Sequence, residues 1–137
     1  MKPWLVDTGP LVAYLDRRDP AHKRMSKLLG EFTGQILTTT AVITEAMHFV
    51  SVDPRGASGL ADFIADTGTE VFDFCKVPEI QTAAKLMKKY PKVPMDFADA
   101  TLLLLADAME VREILTLDYR GFTIYRTPRG TRLEMLE

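Results

Sequence analysis

The sequence has few of the residues that many enzymes use for catalysis and cross-linking. It contains one cysteine, Cys75, and two histidines, His22 and His48, in 137 residues. A single cysteine excludes an internal disulfide framework and a cysteine-based zinc site, so we expect Cys75 to pack at the end of a strand. Because the two histidines suggest no nucleophilic triad, hydrolysis by a serine or cysteine triad is not expected.

Long apolar runs and a strong net charge are also absent. The longest strongly apolar stretch, Ala98 to Met109, contains two aspartates and falls well short of the roughly 20 residues that a membrane span needs. The amino terminus lacks the apolar core and cleavage site of a signal peptide, so we expect a cytoplasmic protein without membrane contact. The formal net charge of -2 does not indicate a broad nucleic-acid-binding surface, so any such contact would be local.

Apolar runs alternate with amphipathic stretches along the chain, which predicts an α/β fold. The length and the 47% hydrophobic content suit one domain over residues 1–137. The pattern predicts strands at about residues 3–7, 35–39, 69–75, 113–117 and 123–126, with a loop at 118–122 and a polar tail after 126. It predicts helices at about residues 8–15, 20–29 (ending at Gly30), 40–51, 56–66, 78–90 and 96–110. This order gives a mainly parallel sheet of about five strands with helices on both faces.

Four acidic residues occur where the carboxyl ends of the predicted strands would meet. Asp7 and Asp118 each follow an apolar strand, Glu45 lies early in the helix after the second strand, and Asp99 lies in the first turn of another helix. In an open parallel sheet these positions share the edge at which ligands bind. Four like charges repel one another unless a divalent cation lies between them. Because oxygen ligands suit Mg²⁺ or Mn²⁺, the pattern predicts a metal site for phosphodiester hydrolysis.

Most of these acids also have a structural explanation. Asp96 and Asp99 have the spacing of a helix N-cap and the third helical residue, so Asp96 is either a metal ligand or a cap. Asp7 and Asp118 could each open a turn. Glu45 is the hardest to explain in this way, because an unpaired carboxylate is costly to bury in an apolar helix. The remaining aspartates considered lie away from this edge and are expected to be caps or solvated residues: Asp16, Asp19, Asp53, Asp62, Asp66 and Asp107.

With these residues the chain resembles the PIN-domain family, and within it the VapC ribonuclease toxins of bacterial and archaeal type II toxin-antitoxin modules. The resemblance spans nearly the whole length. It rests on the segments Leu5-Val6-Asp7-Thr8-Gly9-Pro10-Leu11-Val12-Ala13-Tyr14-Leu15-Asp16, Thr39-Thr40-Ala41-Val42-Ile43-Thr44-Glu45, Met95-Asp96-Phe97-Ala98-Asp99-Ala100 and Leu115-Thr116-Leu117-Asp118-Tyr119-Arg120-Gly121-Phe122. It implies a three-layer α/β/α fold and a Mg²⁺- or Mn²⁺-dependent endoribonuclease.

The resemblance also implies a site and partners. Asp7 and Asp99 would bind the metal directly, while Glu45 and Asp118 would complete the site and orient the attacking water. Asp96 matches an additional acid found in many members. The hydroxyls expected to contact an acid or a metal-bound water belong to Thr8 and Thr116. A toxin of this kind would act on RNA, be inhibited by a small antitoxin protein and form a homodimer.

Basic residues cluster in three segments, 17–27, 85–92 and 120–132, from which rim residues would hold RNA. Taken singly, most such charges are expected to be solvated. A non-catalytic PIN-like module that binds RNA or protein through the same edge is an open alternative, which metal-dependent cleavage would separate. A phospho-accepting receiver domain is disfavoured, because it would have paired acids after the first strand and a lysine after the last, whereas this chain has Asp7-Thr8 and Asp118-Tyr119.

Overall fold

The computed structural model describes residues 1–136 and contains a parallel sheet of five strands in the order β3-β2-β1-β4-β5. The strands are β1 Trp4–Val6, β2 Ile36–Thr39, β3 Glu70–Phe72, β4 Glu113–Leu115 and β5 Glu134–Met135. Leu5 in the centre of the sheet lies beside Leu37 on one side and Ile114 on the other. This sheet confirms the predicted fold class. Residue 137, which the predicted single domain includes, lies outside the described residues.

Helices form most of the connections, because successive parallel strands need a crossover. They are α1 Thr8–Leu15, α2 His22–Glu31, α3 Thr40–Val50, α4 Gly56–Thr67, α5 Val77–Lys88, α6 Phe97–Met109 and α7 Tyr119–Ile124. The chain moves across the sheet from β1 to β3 and then in the opposite direction from β3 to β5. With right-handed crossovers, α1 to α4 cover one face and α5 to α7 cover the other, which gives three layers. In the part of the chain that the structure describes, no helix is long and apolar enough to cross a membrane.

The change of direction makes the gap between β1 and β4 a topological switch point. The buried ends of these two neighbouring strands lead into Asp7 and Thr116. Helix α6 passes close to this point and is buried along most of its length, including Asp99 near its start. The fold therefore places a buried acidic helix start beside the position at which α/β proteins bind ligands.

The carboxyl-terminal part of the chain differs from the prediction. Residues 119–124 form helix α7 instead of a loop and the start of a strand, and the fifth strand lies at Glu134–Met135, in the predicted polar tail. Phe122 and Tyr125 are each 1% exposed, whereas Ile124 between them is 42% exposed. Buried residues three positions apart are typical of a helix. The alternation of apolar and polar residues in this segment instead predicted a strand.

Three smaller predictions were also wrong. Helix α2 continues through Gly30 and ends at Glu31. Gly30 does not adopt the left-handed backbone that would end the helix there. Cys75 lies in the loop after β3 and is exposed instead of packing at the strand end. Asp107, expected on a cap or a solvated face, is buried in α6, and its Oδ2 accepts the backbone N–H of Arg129 at 2.8 Å.

Candidate active site

Asp7 lies at the switch point, and hydrogen bonds hold both of its carboxylate oxygens. It follows β1 and is the N-cap of α1, where its Oδ1 accepts the backbone N–H of Thr8 at 2.8 Å. The Thr116 hydroxyl donates to Oδ2 at 2.8 Å. Burial raises the pKa of Asp7 to about 6, although these two hydrogen bonds oppose the shift. The charges of Asp96 and Glu45 raise the pKa further, so both acids lie within electrostatic reach of Asp7.

Asp96 and Asp99 form a reciprocal cap at the start of α6. The backbone N–H of Asp99 donates to Oδ1 of Asp96 at 2.8 Å, and the backbone N–H of Asp96 donates to Oδ2 of Asp99 at 3.2 Å. Asp96 is exposed and Asp99 is buried. Asp96 is therefore the N-cap of α6, and the reciprocal hydrogen bond fixes the orientation of the Asp99 carboxylate.

Of Asp7 and Asp99, Asp99 has the more strongly raised pKa. Burial raises the pKa of its carboxyl to about 9, and the nearby charges of Asp7 and Asp96 contribute to the rise. A carboxylate in this environment is stable only with a proton or a cation beside it. A cation placed between Asp7 and Asp99 would relieve both groups.

Glu45 projects toward the same acids from α3. Helix α3 begins beside α6. The hydroxyl of its N-cap, Thr39, forms a hydrogen bond of 2.8 Å with the hydroxyl of Thr101 in α6. Burial raises the pKa of Glu45, the Asp96 charge adds to the rise, and the Thr8 hydroxyl opposes it. That hydroxyl is itself buried and has no partner in good hydrogen-bond geometry among residues 1–136. A water or a substrate oxygen at the site would supply one.

Asp118 joins the group through a hydrogen-bonded link. Its backbone N–H donates to Oγ1 of Thr116 at 3.0 Å, and the Thr116 hydroxyl donates to Asp7. The Asp118 side chain caps α7 by accepting the backbone N–H of Gly121 at 3.0 Å. Besides burial, the charges of Asp99 and Asp118 both raise the pKa of Tyr125, so both acids lie near that side chain.

Two residues at this site were missed in the sequence analysis. The Tyr125 hydroxyl donates to the carbonyls of Val93 and Pro94 at 3.1 and 2.7 Å, which ties α7 to the loop before α6. Burial raises the pKa of Tyr125, and the charges of Asp99 and Asp118 add to the rise. A Cβ at Gly121 would lie 2.3 Å from Oδ2 of Asp118 and 2.7 Å from the Tyr125 ring. The motif containing Gly121 was visible in the sequence, but nothing there signalled either close approach.

The chemistry of the donor set fits a small hard cation. The cluster consists of carboxylate and hydroxyl oxygens, which Mg²⁺ and Mn²⁺ prefer. Over residues 1–136, no three acids, histidines or cysteines are arranged to hold a metal ion jointly. Mg²⁺ commonly uses one or two carboxylates and keeps several waters, so two carboxylates such as Asp7 and Asp99 would be enough protein ligands for it.

The chain is thus a three-layer α/β/α domain with an acidic cluster at the switch point of its parallel sheet, the place where such folds bind ligands. A family model described as PIN domain matches residues 4–129, so the chain belongs to the PIN domain family. This assignment confirms the predicted resemblance. The protein named Ribonuclease VapC26 of Mycobacterium tuberculosis is 30% identical over 134 residues, which cover 96% of this chain and 98% of that protein.

Two solved structures are similar to this one. Mycobacterium tuberculosis VapC20, described as a sarcin-ricin loop cleaving toxin, has a TM-score of 0.75 and 17% identity, covering 88% of this chain and 95% of its own. VapBC2 from Rickettsia felis, bound to a DNA fragment from its promoter, has a TM-score of 0.67 and 17% identity, covering 98% and 99%. At these identities the similarity establishes a shared fold.

Proposed function

We propose that this protein is a metal-dependent endoribonuclease that hydrolyses RNA phosphodiester bonds at the acidic edge of its sheet. The observation that carries the proposal is the pair of buried carboxylates, Asp7 and Asp99, whose environment raises the pKa of each. Enzymes place such electrostatically costly groups together chiefly where function needs them. The similarity to a relative named a ribonuclease, across nearly the full length of both chains, supports RNA as the substrate.

Asp7 and Asp99 would hold Mg²⁺ or Mn²⁺, with Asp96 acting through the helix cap that orients Asp99. The ion, when bound, would neutralise charge on the scissile phosphate and lower the pKa of a coordinated water. Thr116 fixes the orientation of the Asp7 carboxylate. Glu45, on α3, would accept a proton from the attacking water. Asp118, the N-cap of α7, would orient that water.

We further propose that the protein is the toxin of a toxin-antitoxin pair. A small antitoxin protein would cover the acidic edge, and two copies of this chain would form a homodimer. The support is the similarity to VapC26 and VapC20 of Mycobacterium tuberculosis, together with the structural similarity to VapBC2 of Rickettsia felis. Copurification with the product of an adjacent short reading frame, followed by measurement of the complex mass, tests both partners.

A cleavage assay tests the enzymatic proposal. Wild-type protein should cut a labelled single-stranded RNA with Mn²⁺ or Mg²⁺ and should lose this activity in EDTA. Glu45→Gln should fold normally and cleave at least about a hundredfold more slowly, because the change removes a charge with little change in size. The exposed acid Asp62 on α4 supplies the control, and Asp62→Asn should cleave normally.

One result would contradict the enzymatic proposal, and a second would contradict only the role of Glu45. RNA binding without cleavage at any metal concentration would indicate the non-catalytic PIN-like module. Full activity of Glu45→Gln would remove Glu45 from the catalytic set.

A further inference from the structure

Tyr119 is an exposed aromatic residue that directly follows Asp118 of the acidic site. It is the first residue of α7, and it is 40% exposed. Two hydrogen bonds made by Asp118, one to Thr116 and one from Gly121, fix the start of α7. The backbone that carries the ring therefore has a defined position relative to the acids.

Arg24 on α2 contacts the Tyr119 side chain. Its guanidinium donates to the Tyr119 hydroxyl, and its Cζ lies 5.7 Å from the ring centroid, within the range of a cation-π contact. Among residues 1–136, no carboxylate forms a salt bridge with Arg24. Its positive charge is therefore available to an anion beside the ring.

A cavity of about 230 Å³ lies against Tyr119. Its lining consists of Tyr119, Thr123, Arg132, Leu133, Glu134 and Met135. The half-buried Met135 supplies apolar surface above the buried Leu133, and the exposed side chains of Arg132 and Glu134 supply a donor and an acceptor. An unpaired nucleobase requires this combination, because its faces contact apolar or aromatic groups while its edges form hydrogen bonds.

We propose that Tyr119 is the stacking platform for one unpaired nucleobase of the RNA substrate, next to the phosphate at the acidic site. The cavity accepts that base, and Arg24 fixes the ring and contacts a neighbouring phosphate. The inference rests on the proposed ribonuclease function and adds to it the residue that receives an unpaired base, because a base inside a duplex cannot reach the ring.

Single-turnover cleavage in Mn²⁺, measured over a range of enzyme concentrations, tests the platform. Tyr119→Ala should raise the half-saturating enzyme concentration by about fivefold to a hundredfold, with a smaller effect on the rate at saturation. Tyr119→Phe should restore tight binding, because it keeps the ring. Phe49→Ala is the matched control, since Phe49 is also an exposed aromatic residue, 52% exposed, but lies near the end of α3. It should behave as wild type.

A set of RNA substrates that each lack one base near the cleavage site separates stacking from other effects. In wild type, one abasic position should weaken binding about as much as Tyr119→Ala does. In Tyr119→Ala the same abasic position should have little further effect, because the two changes remove one interaction. Melting curves will verify that each variant is folded.

The outcomes distinguish this inference from the function on which it rests. If wild type cleaves RNA and folded Tyr119→Ala has an unchanged half-saturating concentration, the platform is wrong and the ribonuclease proposal stands. Additive effects of Tyr119→Ala and every abasic position would also overturn stacking. If wild type does not cleave any RNA with Mn²⁺, the ribonuclease proposal fails first.

Discussion

At the scale of single residues, Asp99 combines a helix-start position with a strongly unfavourable charge. Its carboxylate accepts a backbone N–H in the reciprocal cap of α6, a role that an uncharged side chain can also fill. Burial and the acids beside it nevertheless raise its pKa to about 9. The cap requires an acceptor, whereas a metal requires the negative charge, so substitution separates the two roles.

Asp99→Asn should therefore stabilise the metal-free protein while abolishing cleavage. In wild type the folded state holds a proton on Asp99 between its unfolded pKa near 3.8 and its folded pKa of about 9, so stability falls as pH rises through that interval. Asparagine removes this dependence and keeps an acceptor. We expect a gain of roughly 1 to 3 kcal/mol at pH 8 and little change near pH 4, measured by urea unfolding in EDTA.

Asp62→Asn is the control, because that acid is exposed on α4 and should show neither effect. Loss of stability in Asp99→Asn together with normal cleavage would make Asp99 a helix-start residue only.

Asp96 should tolerate a substitution that preserves its cap. Asp96→Ser keeps an oxygen acceptor for the Asp99 N–H, so we expect it to lose at most a few tenths of a kcal/mol and to retain most of its cleavage activity. Asp96→Ala lacks the acceptor and should lose about 1 kcal/mol. Unfolding curves and cleavage rates of the two variants decide between roles. Loss of cleavage in a stable Asp96→Ser would identify Asp96 as a metal ligand.

At the scale of secondary structure elements, local sequence signals predicted which acids come together at one edge of the sheet, the candidate site. Asp7, Glu45 and Asp99 could be identified because each lies at a strand end or in a helix beside one, where the parallel-sheet pattern brings residues together. Helix α7 could not be predicted, since the sequence around Thr123 also suits a strand. The packing of Phe122 and Tyr125 on the core decides in favour of the helix. The contacts of Tyr125 involve residues about 30 positions earlier, a separation for which local patterns give no signal.

Gly121→Ala should damage α7 and the acidic site together. The added Cβ would overlap the Asp118 carboxylate at 2.3 Å and would force that side chain away from its cap position. We expect a loss of 1 to 3 kcal/mol in unfolding free energy, as for other overpacked positions, and a reduced cleavage rate. Thermal unfolding and single-turnover cleavage measure the two effects.

Gly30 supplies the matched glycine for this experiment. It lies in α2, it is exposed, and a Cβ there meets nothing within 4 Å. Gly30→Ala should be neutral or stabilise the protein by up to about 1 kcal/mol, because alanine favours the helix. Equal stability of the two alanine variants would contradict the close contact at Gly121.

At the scale of the whole molecule, the net charge is small but the charged residues are unevenly distributed. The net charge is only -2, yet the acids with strongly raised pKa, Asp7 and Asp99, share one sheet edge. Arg24, close to that edge, has a guanidinium without a carboxylate partner in residues 1–136. A metal ion would turn this edge from a centre of repulsion into a binding site for the phosphate backbone.

Binding of Mn²⁺ should consequently raise the melting temperature of the whole domain. A ligand that binds only the native state stabilises it by about 2.7 kcal/mol at a hundred times its dissociation constant. Bound carboxylates must be deprotonated, and the pKa values of Asp7 and Asp99 are about 6 and about 9. The shift should therefore be much smaller at pH 5 than at pH 8 and should still increase above pH 8. Asp7→Asn should show a much smaller shift at pH 8, whereas Asp62→Asn should match wild type. Equal metal-induced shifts in Asp7→Asn and wild type would place the metal elsewhere, and an absent shift in wild type at saturating Mn²⁺ would contradict the metal site itself.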